Sequence, residues 1–354
     1  MRIALDGTPL TVSTGGAGRY TAELARALAQ SFPDDQIWLL SDQPFPAPAG
    51  DASNLHCAPG PRVGLDRRWW LVGASRECVR LGIDVFHGTD FSVPYLPLRP
   101  SVLSLLDLSL WKDPLWHQAA DRVRRRTPFL LRLGLATMVI TLTEAVRREA
   151  IQHFLLPPGR VVAVPLAASD HFRPVAASPP EKPYFLYVGT LEPRKNVPLI
   201  LAAWREVRRR HDVDLALAGR RRADFPEIAA EPGLRVLGET PDAALPALYS
   251  QALACLYPSL YEGFGLPVLE AMQCGAAVFT SRDPAVVEVA GDAALTLDAR
   301  DSKPWVEAME VALTTPGWLT NWRRKALRRA AQFSWTRTAQ LTRGVYDEAR
   351  RRFQ

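Results

Sequence analysis

Short apolar runs alternate with helix-period segments along the whole chain, and Gly or Pro marks most of the junctions. Runs that are apolar at successive positions suit strands covered on both faces, and strands joined by helix-length connections pair in parallel. The expected class is therefore α/β with parallel sheets. In the first half, strands are expected near Ile3, Ile37 to Leu40, Val85, Val102 to Leu106, Val139 to Leu142 and Val161 to Val164. In the second half they fall at Tyr184 to Val188, Leu215 to Leu217, Val236, Ala254 to Tyr257, Val278 to Thr280 and Leu295 to Leu297. Between the halves, Pro165 to Pro183 carries Ser169-Asp170 and prolines at 179 and 180, and reads as a linker. A chain of 354 residues has room for two domains of ordinary size, here 1–170 and 178–335.

An apolar share of 47% describes a globular chain, and no apolar run reaches the length of a membrane span. Met1 leads directly into the strand Arg2 to Asp6 without a signal-peptide pattern, so a cytoplasmic location is expected. Cys57, Cys78, Cys255 and Cys274 are scattered, without metal-ligand spacing, and read as small buried apolar residues; no metal site is expected. The net charge of +6 is clumped at Arg122 to Arg126 with Arg132, Arg205 to Arg222, Arg323 to Arg329 and Arg350 to Arg352. Such runs are first of all solvated helix faces, with an anionic lipid surface as the alternative, and no nucleic-acid partner is expected.

The run Tyr261-Glu-Gly-Phe-Gly-Leu-Pro-Val-Leu-Glu270 is the most informative stretch for function. It follows the strand-like Leu253 to Tyr257 and leads into a helix, Leu266 to Cys274, with Pro267 in its first turn and Gly275 past its end. Gly263 and Gly265 let backbone approach a ligand, and the first N–H groups of the helix point into the same space. Such a corner suits an anion. Glu262 and Glu270 flank it, roughly 12 Å apart if the intervening residues were helical, a span that fits a sugar nucleotide. The plain alternative is a surface loop Glu and an ordinary helix Glu.

A second corner follows Tyr184 to Val188, which ends at Gly189. Its loop, Thr190-Leu-Glu-Pro-Arg-Lys-Asn196, places Arg194 and Lys195 just before a helix, Val197 to Arg210, with Asn196 as the expected N-cap. An Arg fork and a Lys ammonium together suit a diphosphate. Solvated surface cations are the alternative.

Taken together and in order, Gly189-Thr-Leu-Glu-Pro-Arg-Lys-Asn196 and Glu262-Gly-Phe-Gly-Leu-Pro-Val-Leu-Glu270 resemble the retaining glycosyltransferases of family GT4. Asp6-Gly-Thr-Pro-Leu10, Gly15-Gly-Ala-Gly-Arg19, Val85-Phe-His-Gly88, Leu106-Asp-Leu-Ser109, Val139-Ile-Thr-Leu-Thr143 and Phe333-Ser-Trp335 match further family landmarks. The resemblance implies a GT-B fold: two Rossmann-like, doubly wound domains facing an interdomain cleft, with the last helix, 336–354, crossing back onto the first. It implies an acceptor in the first domain and a nucleotide sugar in the second. Arg194 and Lys195 would neutralise the diphosphate leaving group, aided by Gly189 and by the backbone of Phe264, Gly265 and Leu266. Glu262 would hold the donor sugar and Glu270 the ribose. Gly15 and Gly16 would lie over the phosphates and the acceptor, although a plain tight turn is the alternative. No cofactor is implied beyond the nucleotide-diphosphate sugar as co-substrate, and no metal.

The chain departs from the family pattern in places. Many relatives carry His-Asp where Leu106-Asp107 stands, which gives Asp107 a larger catalytic share or removes that contact. His87, at another strand end, is either a cleft residue or a structural histidine. Thr190 replaces an Arg, which shifts the phosphate burden to Arg194 and Lys195. The implied activity is metal-independent, retaining transfer of a hexose, mannose by preference, to a glycan or polyprenyl-diphosphate-linked acceptor at the inner membrane face. The alternatives are a GT-B nucleotide-sugar epimerase, which the Glu262/Glu270 spacing disfavours, and a catalytically degenerate partner subunit.

Overall fold

A computed structural model describes residues 1–12, 15–48, 52–58, 68–117, 120–176 and 180–353. Pro179 of the expected linker lies outside the described residues. The chain divides into two compact units: unit 1 comprises Met1–Lys112, His117–Leu166 and Ser334–Gln354, and unit 2 comprises Asp113–Trp116 and Ala167–Phe333. The main division thus falls at Leu166/Ala167, ahead of the residue 170 expected to end the first domain.

In unit 1 the strands are β1 (Arg2–Asp6), β2 (Gln36–Leu40), β3 (Leu55–Cys57), β4 (Val85–Gly88), β5 (Ser101–Leu105), β6 (Met138–Thr141) and β7 (Val161–Ala163). In unit 2 they are β8 (Tyr184–Val188), β9 (Asp214–Ala218), β10 (Leu234–Gly238), β11 (Ala254–Tyr257), β12 (Ala277–Ser281) and β13 (Leu295–Leu297). The sheet orders are β3-β2-β1-β4-β5-β6-β7 and β10-β9-β8-β11-β12-β13, and every pairing is parallel. Each sheet therefore starts near its middle, winds outward, and returns to wind the other way. Ligands bind at the carboxyl ends of the strands where that reversal occurs, which is between β1 and β4 and between β8 and β11.

Central strands such as β8 (YFLYV) and β12 (AVFTS) are buried at every position, the reason they read as continuous apolar runs. β3 is absent from the sequence expectation: it is a three-residue edge strand with half-buried and exposed residues. Its Cys57 is exposed, against the buried position expected for it, while Cys78, Cys255 and Cys274 are buried and all are free thiols.

In unit 2, Trp204 on the helix Val197–Arg208 and Trp305 on the helix Lys303–Thr314 join Phe185, Tyr187, Leu217 and Phe279 in one core cluster. Their indole N–H groups donate to Val213 O (3.0 Å) and Asp298 O (2.8 Å), so both rings are buried without a polar penalty. Truncating either costs about 3–5 kcal/mol. In unit 1 the C-terminal helix, Trp335–Arg352, packs against the helix Gly16–Ser31 and against β4, β5 and β6. Ser334 caps it by accepting from Arg337 N (3.2 Å), and Thr338, Thr342, Val345, Tyr346 and Ala349 form its buried stripe at helical spacing.

Candidate active site

The loop after β8 makes one tight turn, Pro193–Lys195, before the helix Val197–Arg208 begins. Asn196 takes the expected N-cap position, its carbonyl accepting from Leu199 N (3.1 Å), but its side chain makes no capping bond. It adopts a left-handed conformation (φ 54°), which Asn tolerates, and its side chain instead donates to Ala299 O (2.8 Å). The turn folds Arg194 and Lys195 inward. Each is only 8% exposed, so neither is the solvated surface cation that was the alternative.

Both cations meet Glu262, which the loop after β11 delivers to the same point and which is 6% exposed. Lys195 Nζ donates to Glu262 Oε1 (2.5 Å), and Arg194 Nη1 donates to Oε2 (3.0 Å) and to Tyr261 O (2.6 Å). Burial alone raises the Glu262 carboxyl, but Arg194 and Lys195 overcome it and hold the group down at about 2. Burial pushes Lys195 below its ordinary value, with Glu262 opposing.

Gly265 (φ 90°) turns the chain into the helix Leu266–Gln273 and accepts from Val268 N (2.9 Å) with its carbonyl. A side chain there is strained and meets Val286 Cγ2 at 3.2 Å. Among the described residues the N–H groups of Phe264, Gly265 and Leu266 have no protein acceptor, so the start of this helix presents consecutive donors. Glu270 is 1% exposed and accepts from Tyr249 OH (3.2 Å). Gly189 closes β8 with φ 153° and donates to Ala218 O (2.9 Å).

The other candidates lie in unit 1. Gly15 (φ 142°) precedes the helix Gly16–Ser31, and a Cβ on Gly15 or Gly16 meets none of the described residues within 4 Å. Asp107 Oδ1 accepts from Ser109 N (2.8 Å) and Ser109 Oγ (2.5 Å). His87 is fully buried, its ring nitrogens paired with Tyr346 OH (2.7 Å) and Ser104 Oγ (2.8 Å). Burial lowers it to about 3. It is a structural histidine joining β4 to the C-terminal helix and has no surface to offer a substrate.

Several groups escaped sequence reasoning. Tyr257 OH lies 3.0 Å from both Lys195 Nζ and Glu262 Oε1. Glu192 accepts from Arg194 (2.8 Å) and Arg222 (3.2 Å), and Asp283 Oδ2 accepts from Glu262 N (3.3 Å) while capping the helix Pro284–Ala290. His117 Nε2 sits 2.7 Å from Ser109 Oγ, so a histidine reaches the Asp107 network although Leu106 does not supply one. At the end of β1, Asp6 is driven up to about 7 by burial, against its bonds from Thr8 N (3.1 Å) and Oγ1 (2.6 Å). Just past β4, burial raises Asp90 to about 6. Arg126, packed over the Trp70 ring at 5.5 Å, is the cation that both feel. Glu192 and Asp6 stand inside quoted runs but had no role assigned there; the others are marked only by their spatial neighbours.

Among known proteins, the family described as glycosyl transferases group 1 matches residues 169–332, and glycosyltransferase family 4 matches residues 14–169. The O-antigen chain mannosyltransferase B of Escherichia coli is 31% identical, covering 98% of this chain and 99% of that protein. A D-inositol 3-phosphate glycosyltransferase of an Arthrobacter species is 27% identical over 96% and 92% of the two chains. Among solved structures, sucrose-phosphate synthase from Thermosynechococcus elongatus superposes with a TM-score of 0.79 at 20% identity, covering 98% of each chain. Anabaena HepE in complex with UDP-glucose superposes with a TM-score of 0.70 at 16% identity, covering 98% of this chain and 99% of that one.

Proposed function

The chain belongs to the group 1 glycosyltransferases of family 4, with the GT-B fold, and from that premise we propose that it transfers mannose with retention and without a metal. The donor is a nucleoside-diphosphate sugar bound by unit 2, and the acceptor is a lipid-linked or polysaccharide glycan bound by unit 1. The observation that carries the reading is the buried meeting of Arg194, Lys195 and Glu262 beside three consecutive unclaimed N–H groups at a helix start.

In the reaction, the bond from the anomeric carbon to the diphosphate breaks, and the acceptor oxygen bonds to that carbon from the same face. The acceptor's proton leaves on a phosphate oxygen. Charge grows on the departing diphosphate, where Arg194, Lys195 and the N–H groups of Phe264, Gly265 and Leu266 are fixed in advance. Glu262 turns to the sugar hydroxyls once the diphosphate takes the cations, and Glu270 meets the ribose. Mannose is favoured because the relative from Escherichia coli that matches end to end is a mannosyltransferase. Among the described residues, no three His, Cys, Asp or Glu side chains gather as a metal-holding group.

Among the described residues no helix is long and apolar enough to cross a membrane. Contact with an anionic bilayer is instead assigned to the outer face of the helix Asp121–Arg132. There Arg122, Arg125 and Arg132 are exposed beside Phe129 and Leu133, more than half of whose surface is open, whereas Arg124 and Arg126 turn inward.

Nucleotide release from a panel of GDP-, UDP-, ADP- and dTDP-sugars, with and without chelator, tests the reading. GDP-mannose or another NDP-mannose should be consumed at the same rate with chelator. Loss of turnover on chelation, or no turnover of any NDP-sugar with a cell-envelope glycolipid acceptor, contradicts it. Binding to phosphatidylglycerol vesicles should fall as salt rises through the range that screens exposed charge.

A further inference from the structure

We infer that Tyr257 is a positioning residue of this transfer site, whose hydroxyl keeps Glu262 aligned after Lys195 has been drawn to the donor's diphosphate. The inference rests on the functional reading above. Tyr257 ends β11 and is fully buried, and its hydroxyl stands between the two functional groups. Lys195 Nζ donates to the phenol oxygen (3.0 Å), and the phenol proton is donated to Glu262 Oε1 (3.0 Å). Lysine has only donors and an ionised carboxylate only acceptors, so a hydroxyl is the group able to serve both at once.

The arrangement matters because the cations are shared. In the structure Glu262 uses both oxygens on Arg194 and Lys195, the same cations that a diphosphate needs. When a diphosphate takes Lys195, Oε1 loses its shortest partner in a fully buried place, where an unmade bond to a charged group is costly. Tyr257 then remains as the neutral donor to Oε1, and Asp283, accepting from Glu262 N (3.3 Å), holds the backbone. The hydroxyl also steadies the Lys195 ammonium, which burial disfavours and which faces Glu262, Glu192, Arg194 and the Tyr257 phenol.

Tyr257→Phe isolates the hydroxyl, because the ring that lies 5.2 Å from Lys195 Nζ is kept. In the full chain, kcat should fall about tenfold, the scale of one hydrogen bond to a charged group, with the donor KM changed less than kcat. The alkaline limb of the pH–rate profile should move to lower pH, since Lys195 loses an acceptor that favours its charged form. Calorimetric binding of GDP and UDP across pH reads the same shift without turnover. Failure of the transferase reading would therefore show as absent transfer in the wild type, with the binding shift between wild type and Tyr257→Phe still present. An unchanged alkaline limb in both rate and nucleotide binding overturns the inference, as does a lower melting temperature with kcat intact.

Discussion

At the point where the sheet of unit 2 reverses its winding, Glu262 sits between two cations, one of which Glu192 also holds; at the corresponding point of unit 1, Asp6 and Asp90 share Arg126. Burial pushes every one of these carboxyls upward. Paired with Arg194 and Lys195, Glu262 nevertheless ends at about 2, whereas Asp6 and Asp90 end at about 7 and 6. The difference lies in the opposing charges within reach rather than in depth or in the unit, since Asp283, which backs Glu262 without a cation of its own, is raised to about 6 as well. In unit 2 the fixed positive charge of Arg194 and Lys195 outweighs burial at Glu262.

The largest effect expected from disturbing this contrast comes from the cations. Lys195→Ala or Arg194→Ala should slow sugar transfer about 100- to 1,000-fold. Each should also destabilise the chain by about 3–5 kcal/mol, because Glu262 is left buried with too little opposing charge. Exposed cations would cost at most about 1 kcal/mol, so urea unfolding of the single variants decides between a buried and a solvated cluster. A Lys195→Met, Glu262→Gln double variant should recover much of the stability and none of the transfer.

The pH dependence contributed by these carboxyls should run in opposite directions. Glu262 is depressed, so its contribution is full above the ordinary carboxylate range and is lost as pH falls toward about 2. Asp6 and Asp90 are raised, so their contribution is full below that range and is lost as pH rises through about 6 to 7. Protection factors, which remove the intrinsic pH dependence of exchange, should fall at β1 and β4 from pH 5 to pH 8, while at β8 and β11 the Glu262 contribution should be lost only in acid. Asp6→Asn should flatten the rise in unit 1 and stabilise it at pH 8 by about 1–3 kcal/mol. A flat profile at β1 would remove the contrast.

A smaller effect is expected from Thr8, whose hydroxyl donates to Asp6 Oδ1 (2.6 Å). Thr8→Val should cost about 1 kcal/mol and carry the loss of unit 1 stability on to higher pH, since the lost bond favoured the ionised form and its removal raises Asp6 further. The smallest is Ser334→Ala, a cap loss of about 1 kcal/mol or less, confined to unit 1 and the same at every pH.

Much of this architecture was legible because buried parallel strands declare themselves as apolar runs, and because Gly and Pro mark the corners. The edge strand β3 was not, since half-exposed residues over so short a run leave no pattern. Both functional corners could be read, but not that Lys195 and Glu262, 67 residues apart, neutralise one another. The alternative of solvated surface cations failed for that reason: burial depends on a partner that no local window contains. His87 shows the same limit, since its role is settled by Tyr346, 259 residues away. His117 reaches the Asp107 network by the folding of a turn whose sequence carries no signal for it.

The return of the last helix to unit 1 has a consequence for the order in which the protein is made. While residues 335–352 are still unsynthesised, the helix Gly16–Ser31 and strands β4 to β6 lack their cover, and His87 lacks the phenol of Tyr346. Unit 2, which ends at Phe333, has all its residues earlier. The half of the chain that leaves the ribosome first is thus the half that matures last, and its open apolar trench is the surface a nascent-chain chaperone would be called on to shield.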